Sequence, residues 1–109
     1  RAWAVVSLIV CLSSMACSAH RTAAERAQRS LKIGEDYGEA RSRLLSAGWR
    51  QVRAQCSERN VCFREWPEMT TRLSDAQTCG VLIADGDKLM ICIRPIADGA
   101  NIEFIETLY

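Results

Sequence analysis

The stretch CGVLIADGDKLMIC, from Cys79 to Cys92, constrains the fold more than any other part of the chain. Asp85-Gly86 sits at its centre, apolar runs flank it, and a cysteine closes each end. Asp-Gly is a preferred pair for a two-residue type I′ turn, because both central residues need positive φ. With Asp85 and Gly86 as the loop, Ala84 faces Asp87, Leu82 faces Leu89 and Cys79 faces Cys92. Hydrogen-bonded and non-hydrogen-bonded pairs alternate outward from such a loop, which puts the cysteines on a non-hydrogen-bonded pair. Their Cα atoms then lie ~4.5 Å apart, near the short end of the range a disulfide accepts. A three-residue loop over 85–87 with a bulge would instead set Cys79 against Ile93.

A second hairpin is expected to follow. With Asp98-Gly99 as its loop, Arg94 faces Glu103, Ile93 faces Phe104, Cys92 faces Ile105 and Leu89 faces Leu108. Opposite charges and an aliphatic–aromatic pair then stand across the strands. Three strands result, about 80–84, 88–94 and 101–108, as an antiparallel meander. Leu82, Leu89, Ile91, Ile93, Phe104 and Leu108 share one face, which should receive a helix. Val81, Ile83, Met90 and Ile105 surround the cysteines on the other face. That face is too apolar to be bare, so segment 50–66 or another molecule should cover it.

The helix is announced by Asp36-Tyr37-Gly38-Glu39, which has the form of a capping box. Tyr37, Ala40, Leu44 and Ala47 follow helical spacing, with Leu45 beside them, and Gly48 stands where a left-handed C-terminal residue belongs. The helix is therefore placed over 37–47, after a short Leu31–Ile33 segment, with Trp49 folding back onto its last turn. Residues 50–56 alternate as a half-exposed strand, 61–66 form a second strand stopped by Pro67, and 70–78 read as a loop. His20 to Ser30, polar and rich in Ala and Arg, is read without a capping or turn signal, as a tether or a frayed helix.

Residues 2–16, AWAVVSLIVCLSSMA, are mostly apolar but shorter than the ~20 a bilayer span needs. They have the length and flanks of a signal-peptide core, so 1–19 are read as a signal peptide, 20–30 as a tether and 31–109 as a small domain. Ser14-Met15-Ala16-Cys17 resembles a lipobox, with lipidation at Cys17; cleavage after Ala19 or after Ala16 are the alternatives. Past residue 20 four cysteines remain: Cys56, Cys62, Cys79 and Cys92. Cleavage after Ala16 without lipidation would leave an odd fifth thiol, awkward in an oxidising compartment. A domain this small is expected to need covalent staples. Of three connectivities, Cys79–Cys92 with Cys56–Cys62 is preferred.

After residue 20, Lys and Arg balance Asp and Glu at thirteen each, which argues against a general nucleic-acid or membrane-surface binder. The charge is unevenly placed: 40–64 hold six arginines and one glutamate, whereas 65–109 hold eight acids and three bases. Pairing between the two halves is the simpler account; a docking dipole is the other.

Few residues suggest chemistry. His20 is the only histidine and lies at the edge of the signal segment, which leaves no base for a Ser-His or Cys-His pair. Cysteine spacings of C-x5-C and C-x12-C match neither zinc knuckles nor a C-x-x-C redox motif. Glu65/Glu68, Asp85/Asp87 and Glu103/Glu106 are paired in sequence, without the cleft that acid–base work requires. No catalytic residue, metal or cofactor is expected. Arg64-Glu65-Trp66-Pro67-Glu68 is the one segment with a binding look, since Trp-Pro between charges can present an indole; Trp66, Pro67 and Glu68 are the candidate contacts. Alternatively, Trp66 covers apolar surface and Pro67 ends a strand.

Residues 34–49, GEDYGEARSRLLSAGW, then Trp66-Pro67-Glu68-Met69 and the cysteine-bearing strands, resemble a group of small exported proteobacterial proteins. The helix segment is also similar to the opening of PASTA modules, which bind cell-wall fragments or space other domains, although the Pro-Ala-Ala-Gly-like loop of those modules is missing here. The resemblance implies export and an α+β fold. The expected protein is a disulfide-stapled α+β domain, one helix on an antiparallel sheet. It would act without catalysis as an interaction domain of the periplasm or, through Cys17, the outer membrane. The expected partner is a cell-envelope protein, with peptidoglycan or a secreted enzyme to be inhibited as alternatives; no nucleic acid is expected, and contact with the membrane only through the lipid.

Overall fold

The computed structural model describes residues 22–108, so the signal segment and Cys17 lie outside the described residues. Two helices, α1 (Ala23–Ser30) and α2 (Tyr37–Ser46), precede six strands. These are β1 (Arg50–Gln51), β2 (Asn60–Cys62), β3 (Met69–Arg72), β4 (Thr78–Ala84), β5 (Asp87–Ile96) and β6 (Gly99–Leu108). All pair antiparallel in the order β2-β3-β4-β5-β6, and β1 joins the same edge of β4 that β3 uses. The architecture is an α+β fold with two cysteine pairs bonded, Cys56–Cys62 and Cys79–Cys92.

The β4–β5 hairpin has the expected register. Ala84 faces Asp87, and Cys79 faces Cys92 with Cα atoms 4.0 Å apart. Asp85 (φ 51°) and Gly86 (φ 82°) supply the two positive φ angles of the turn. Leu82, Leu89 and Ile91 point inward and are fully buried. In α2, Asp36 accepts from the Glu39 amide at 2.9 Å, and Tyr37, Ala40 and Leu44 are buried. Gly48 adopts φ 99°, and the Trp49 amide returns to the Leu44 carbonyl at 3.0 Å, which buries the indole. Ala47, placed in the buried stripe by its spacing, is exposed as the helix C-cap.

The second hairpin differs from its expected register. Its loop is Ala97-Asp98, with Ile96 facing Gly99, and Ile93 pairs with Ile102. Gly99 uses its positive φ at the end of the turn rather than at its centre. A bulge between Cys92 and Ile93 removes one residue of that two-residue slip, so Cys92 faces Phe104 and Ile91 faces Ile105. The remaining one-residue shift exchanges faces, because side chains alternate along a strand. Phe104 stands on the cysteine face and is 44% exposed, while Ile105 packs toward the helices and Ile102 is buried in the core. Leu108 faces Lys88, not Leu89. Arg94 still reaches Glu103, Nη2 to Oε1 at 2.8 Å, although its backbone faces Asn101. The pin is long-range: the Gly34 amide donates to the Ile102 carbonyl at 2.7 Å, the Ile102 amide to the Glu35 carbonyl at 2.8 Å, and Asp36 bridges Asn101.

Four further segments can be compared with their expected structure. Of the two readings of 20–30, a tether or a frayed helix, the described residues take the second, a helix from Ala23 that packs on β5 through buried Ala23, Ala24 and Ala27. The Thr22 hydroxyl accepts from the Glu25 amide at 3.1 Å, so Thr22-Ala-Ala-Glu25 is a capping sequence. Gln28 Nε2 donates to the Thr107 hydroxyl at 2.6 Å, and Asp87 accepts from the Ala24 amide at 3.2 Å, a carboxylate against a helix N-terminus. The strand expected over 50–56 is paired only at Arg50–Gln51, and the strand expected over 61–66 is paired only at Asn60–Cys62. The loop expected over 70–78 contains β3 and the start of β4, where the Thr71 and Thr78 hydroxyls share a hydrogen bond at 2.8 Å.

Candidate functional site

The Trp66-Pro67-Glu68 segment lies where the sheet divides. β3 pairs with β4 at Thr78–Gly80 and β1 pairs with it at Leu82–Ile83, so the chain entering β3 has to leave the sheet at Glu68. Gly80 permits this crossing. A Cβ there would stand 2.8 Å from the Glu68 carbonyl oxygen and 2.9 Å from Met69 Sδ. The Glu68 side chain turns inward and has no exposed surface. Its carboxylate accepts from Tyr37 Oη at 2.6 Å, Arg41 Nε at 2.7 Å and Arg41 Nη2 at 3.2 Å, and Arg41 Nη2 also donates to Gln51 Oε1. Burial first, and then the hydrogen bond to Glu68, push the Tyr37 hydroxyl well above the ordinary tyrosine range. The Arg41 guanidinium is raised chiefly by its hydrogen bonds to Glu68.

Of the three candidate contacts, the structure therefore presents only one freely. Pro67 is exposed. Trp66 is half-buried, edge-on to Tyr37 (ring centroids 4.8 Å apart) and stacked on Phe63 at 5.5 Å. Glu68 is held inside the protein and is not available to a partner. The segment is a staple of α2 to the sheet. Its signal in the sequence was ambiguous because a Glu two residues after a Trp reads as surface until Tyr37 and Arg41 are known to converge on it.

The sequence-paired carboxylates also separate. Glu65 is exposed while Glu68 is buried, Asp85 is exposed while Asp87 caps α1, and Glu103 is taken by Arg94. Among the described residues, no group of three or more His, Cys, Asp or Glu side chains can hold a metal ion. Among them, too, no helix is long and apolar enough to cross a membrane.

A second site lies on the cysteine face of the sheet, opposite the helices. Segment 52–55 leaves β1 and walls a shallow cleft of about 430 Å³. Its apolar lining comes from Val52, Ala54, Val81, Met90 and the Cys79 half of the disulfide, with Glu68, Thr70 and Gly80 where β3 meets β4 and Arg53 and Gln55 at the wall. The Val52 amide donates to the Val81 carbonyl at 3.0 Å and the Ala54 amide to the Pro67 carbonyl at 2.9 Å, which fixes that wall. Cys56–Cys62 ties its far end to β2. Segment 50–66 thus covers part of the face, and Phe104, on the farthest strand, remains exposed.

The electrostatics around this cleft were only half legible. Arg41–Glu68 is the one ion pair among the described residues that joins the arginine-rich 40–64 segment to the acid-rich remainder. Arg43 pairs with Glu35, and Arg72 pairs with Asp75 within its own turn. Arg50, Arg53, Arg59 and Arg64 are exposed and make no ion pair with the described residues. The simple account, two halves neutralising each other, holds for a single pair. No family model, curated protein or solved structure matches the chain.

Proposed function

We propose that the protein is a non-catalytic, exported interaction domain of the cell envelope, soluble in the periplasm or anchored by a lipid on Cys17. The observation that carries this reading is the uncovered part of the cysteine face. That face carries the cleft of about 430 Å³ and, on β6, the exposed Phe104, whereas the other face is closed by two helices. Exposed apolar surface on an otherwise well-packed domain marks a contact site. The two disulfides accord with an oxidising compartment. The buried carboxylate of Glu68 has its acceptors engaged by Tyr37 and Arg41, which supports a structural rather than a catalytic use.

The test is site-specific photo-crosslinking in the cells that make the protein. A benzophenone side chain replacing Phe104 should give a discrete protein adduct; one replacing Leu73, exposed on the turn after β3, should give none. Equal adducts at both positions, or none at either, would reject the reading. Sedimentation with purified peptidoglycan, abolished by the Phe104 replacement, would replace the protein partner with a cell-wall ligand. Intact mass with and without reduction checks the compartment: an exported form starts at Cys17 with lipid, or at His20, and gains four protons on reduction.

A further inference from the structure

We propose that the Cys56–Cys62 disulfide is a thiol–disulfide exchange site, opened by a dithiol reductant while Cys79–Cys92 stays closed. The chemistry stands apart from the interaction reading above, and it acts on the wall of the same cleft.

The setting of the two bridges is the first argument. Cys56 and Cys62 are both exposed, and Cys62 lies on β2, an edge strand of only three residues. Cys79 and Cys92 belong to β4 and β5, inside the sheet, and Cys92 is 1% exposed. Thr70 is the cross-strand neighbour of Cys79, and Phe104 that of Cys92. Residues opposite one another share a face of the sheet. An attacking thiolate comes in opposite the sulfur that leaves, so its approaches to Cys79–Cys92 run past Thr70 and Phe104. Access to sulfur governs exchange together with thiol acidity, and exposed bridges are the labile ones.

The small cost of opening is the second argument. Cys56 and Cys62 are six positions apart in the chain, Cys79 and Cys92 thirteen. The shorter loop restrains the unfolded chain less. The 57–60 turn also has bonds of its own. The Ser57 amide donates to the Asn60 carbonyl at 2.9 Å, and Ser57 Oγ accepts from the Arg59 and Asn60 amides at 3.2 Å. The Leu73 amide donates to the Arg59 carbonyl at 2.9 Å, so the turn and β2 stay on β3 after reduction. The stretch before the turn is what comes loose. Val52 and Ala54 donate inward, but Gln55 and Cys56 make no backbone hydrogen bond with the described residues. Reduction therefore frees the far end of the cleft wall without unfolding the domain.

The exchange balances as follows. One thiolate of the reductant attacks a sulfur of Cys56–Cys62, the S–S bond breaks as a mixed disulfide forms, and the departing sulfur takes a proton. The second thiol of the reductant then attacks its partner sulfur in the mixed disulfide and releases the other cysteine. The reductant leaves as a disulfide, and the protein gains two electrons and two protons.

The experiment treats the oxidised mature protein with dithiothreitol, quenches with N-ethylmaleimide and maps the alkylated cysteines by mass. A species alkylated only at Cys56 and Cys62 should form more than about tenfold faster than alkylation at Cys79 and Cys92, and urea should narrow the gap. Its amide spectrum should stay dispersed, with shifts confined to 53–62 and the cleft floor. The double variant Cys56→Ser, Cys62→Ser should reproduce that spectrum. Equal rates, Cys79–Cys92 opening first, resistance of both bridges without urea, or loss of dispersion once Cys56–Cys62 opens would each overturn the proposal. A Phe104 adduct in cells beside any of these results removes the exchange site and leaves the interaction reading standing. Selective opening without an adduct does the reverse.

Discussion

Replacing Glu68 by alanine should be among the most damaging single changes in this domain. The carboxylate is wholly enclosed and accepts from Tyr37 Oη at 2.6 Å and from Arg41 at 2.7 and 3.2 Å. Hydrogen bonds to a charged group contribute about 1.5–3 kcal/mol each, and an orphaned buried hydroxyl costs about 1–3 kcal/mol. Tyr37 is fully buried and cannot turn to water, whereas Arg41 is partly exposed and can, so its loss is discounted. The sum falls at about 3–5 kcal/mol, the usual cost of removing one partner of a buried pair. A domain of this size has roughly 5–15 kcal/mol in total. Urea unfolding under non-reducing conditions should therefore show the midpoint falling by about 2–3 M at unchanged slope. Glu68→Gln, which keeps the shape and one acceptor, should lose less than Glu68→Ala. A cycle with Tyr37→Phe should give a coupling of about 1.5–3 kcal/mol. A Glu68→Ala loss below about 1 kcal/mol, the range of a surface ion pair, or no coupling to Tyr37, would refute the argument that this contact staples α2 to the sheet.

Three more outcomes follow from the same geometry. Gly80→Ala should destabilise by about 1–3 kcal/mol, because the new Cβ meets backbone at 2.8 Å; a neutral or stabilised variant in the same urea assay would show that the 68–69 crossing can shift freely. The Tyr37 hydroxyl is raised by burial and by Glu68, so above pH ~10 the unfolded chain releases a proton that the folded chain keeps. Stability should then fall with rising pH by up to about 1.4 kcal/mol per unit, and the slope should be shallower in Tyr37→Phe; identical slopes would contradict the assignment. Asp75 is lowered to about 2, first by the hydrogen bond from Arg72 and then by the Gln77 amide. Its carboxyl carbon resonance should titrate near that value, so its small contribution is present above the ordinary Asp range and fades as pH falls through it; Arg72→Gln should return the midpoint upward.

The features that could be read in the sequence are those whose causes lie close together along it. The β4–β5 hairpin is announced by Asp85-Gly86, and of the two loop lengths open to it the two-residue loop is the one adopted, which seats Cys79 against Cys92. The capping box at Asp36 and the glycine at Gly48 set both ends of α2. Thr22 and Glu25 carry the same signal for α1, but the surrounding Ala and Arg residues carry no apolar stripe of large side chains. An alanine face looks like a linker until a sheet is there to receive it. β3 is illegible for a related reason: Thr70 and Thr71 show no apolar alternation, and only Met69 is buried.

The sequence by itself determined one helix and the place of one hairpin, because turn φ angles and helix caps are local energies; the loop length, and with it the disulfide that closes the hairpin, stayed open between two registers. Tertiary structure decided the rest. The 34–36 strap pins Ile102 and Asn101, and with the bulge beside Cys92 it fixes the β5–β6 register. That sends Phe104 to the open face, against the outcome the second Asp-Gly pair suggested. Whether Glu68 faced solvent or the core depended on two strands competing for one edge of β4, and on Tyr37 and Arg41 arriving from α2. Whether the arginines were paired depended on which acids met them, and four of them form no ion pair with the described residues. Such outcomes are set by contacts between residues tens of positions apart, and no local pattern encodes them.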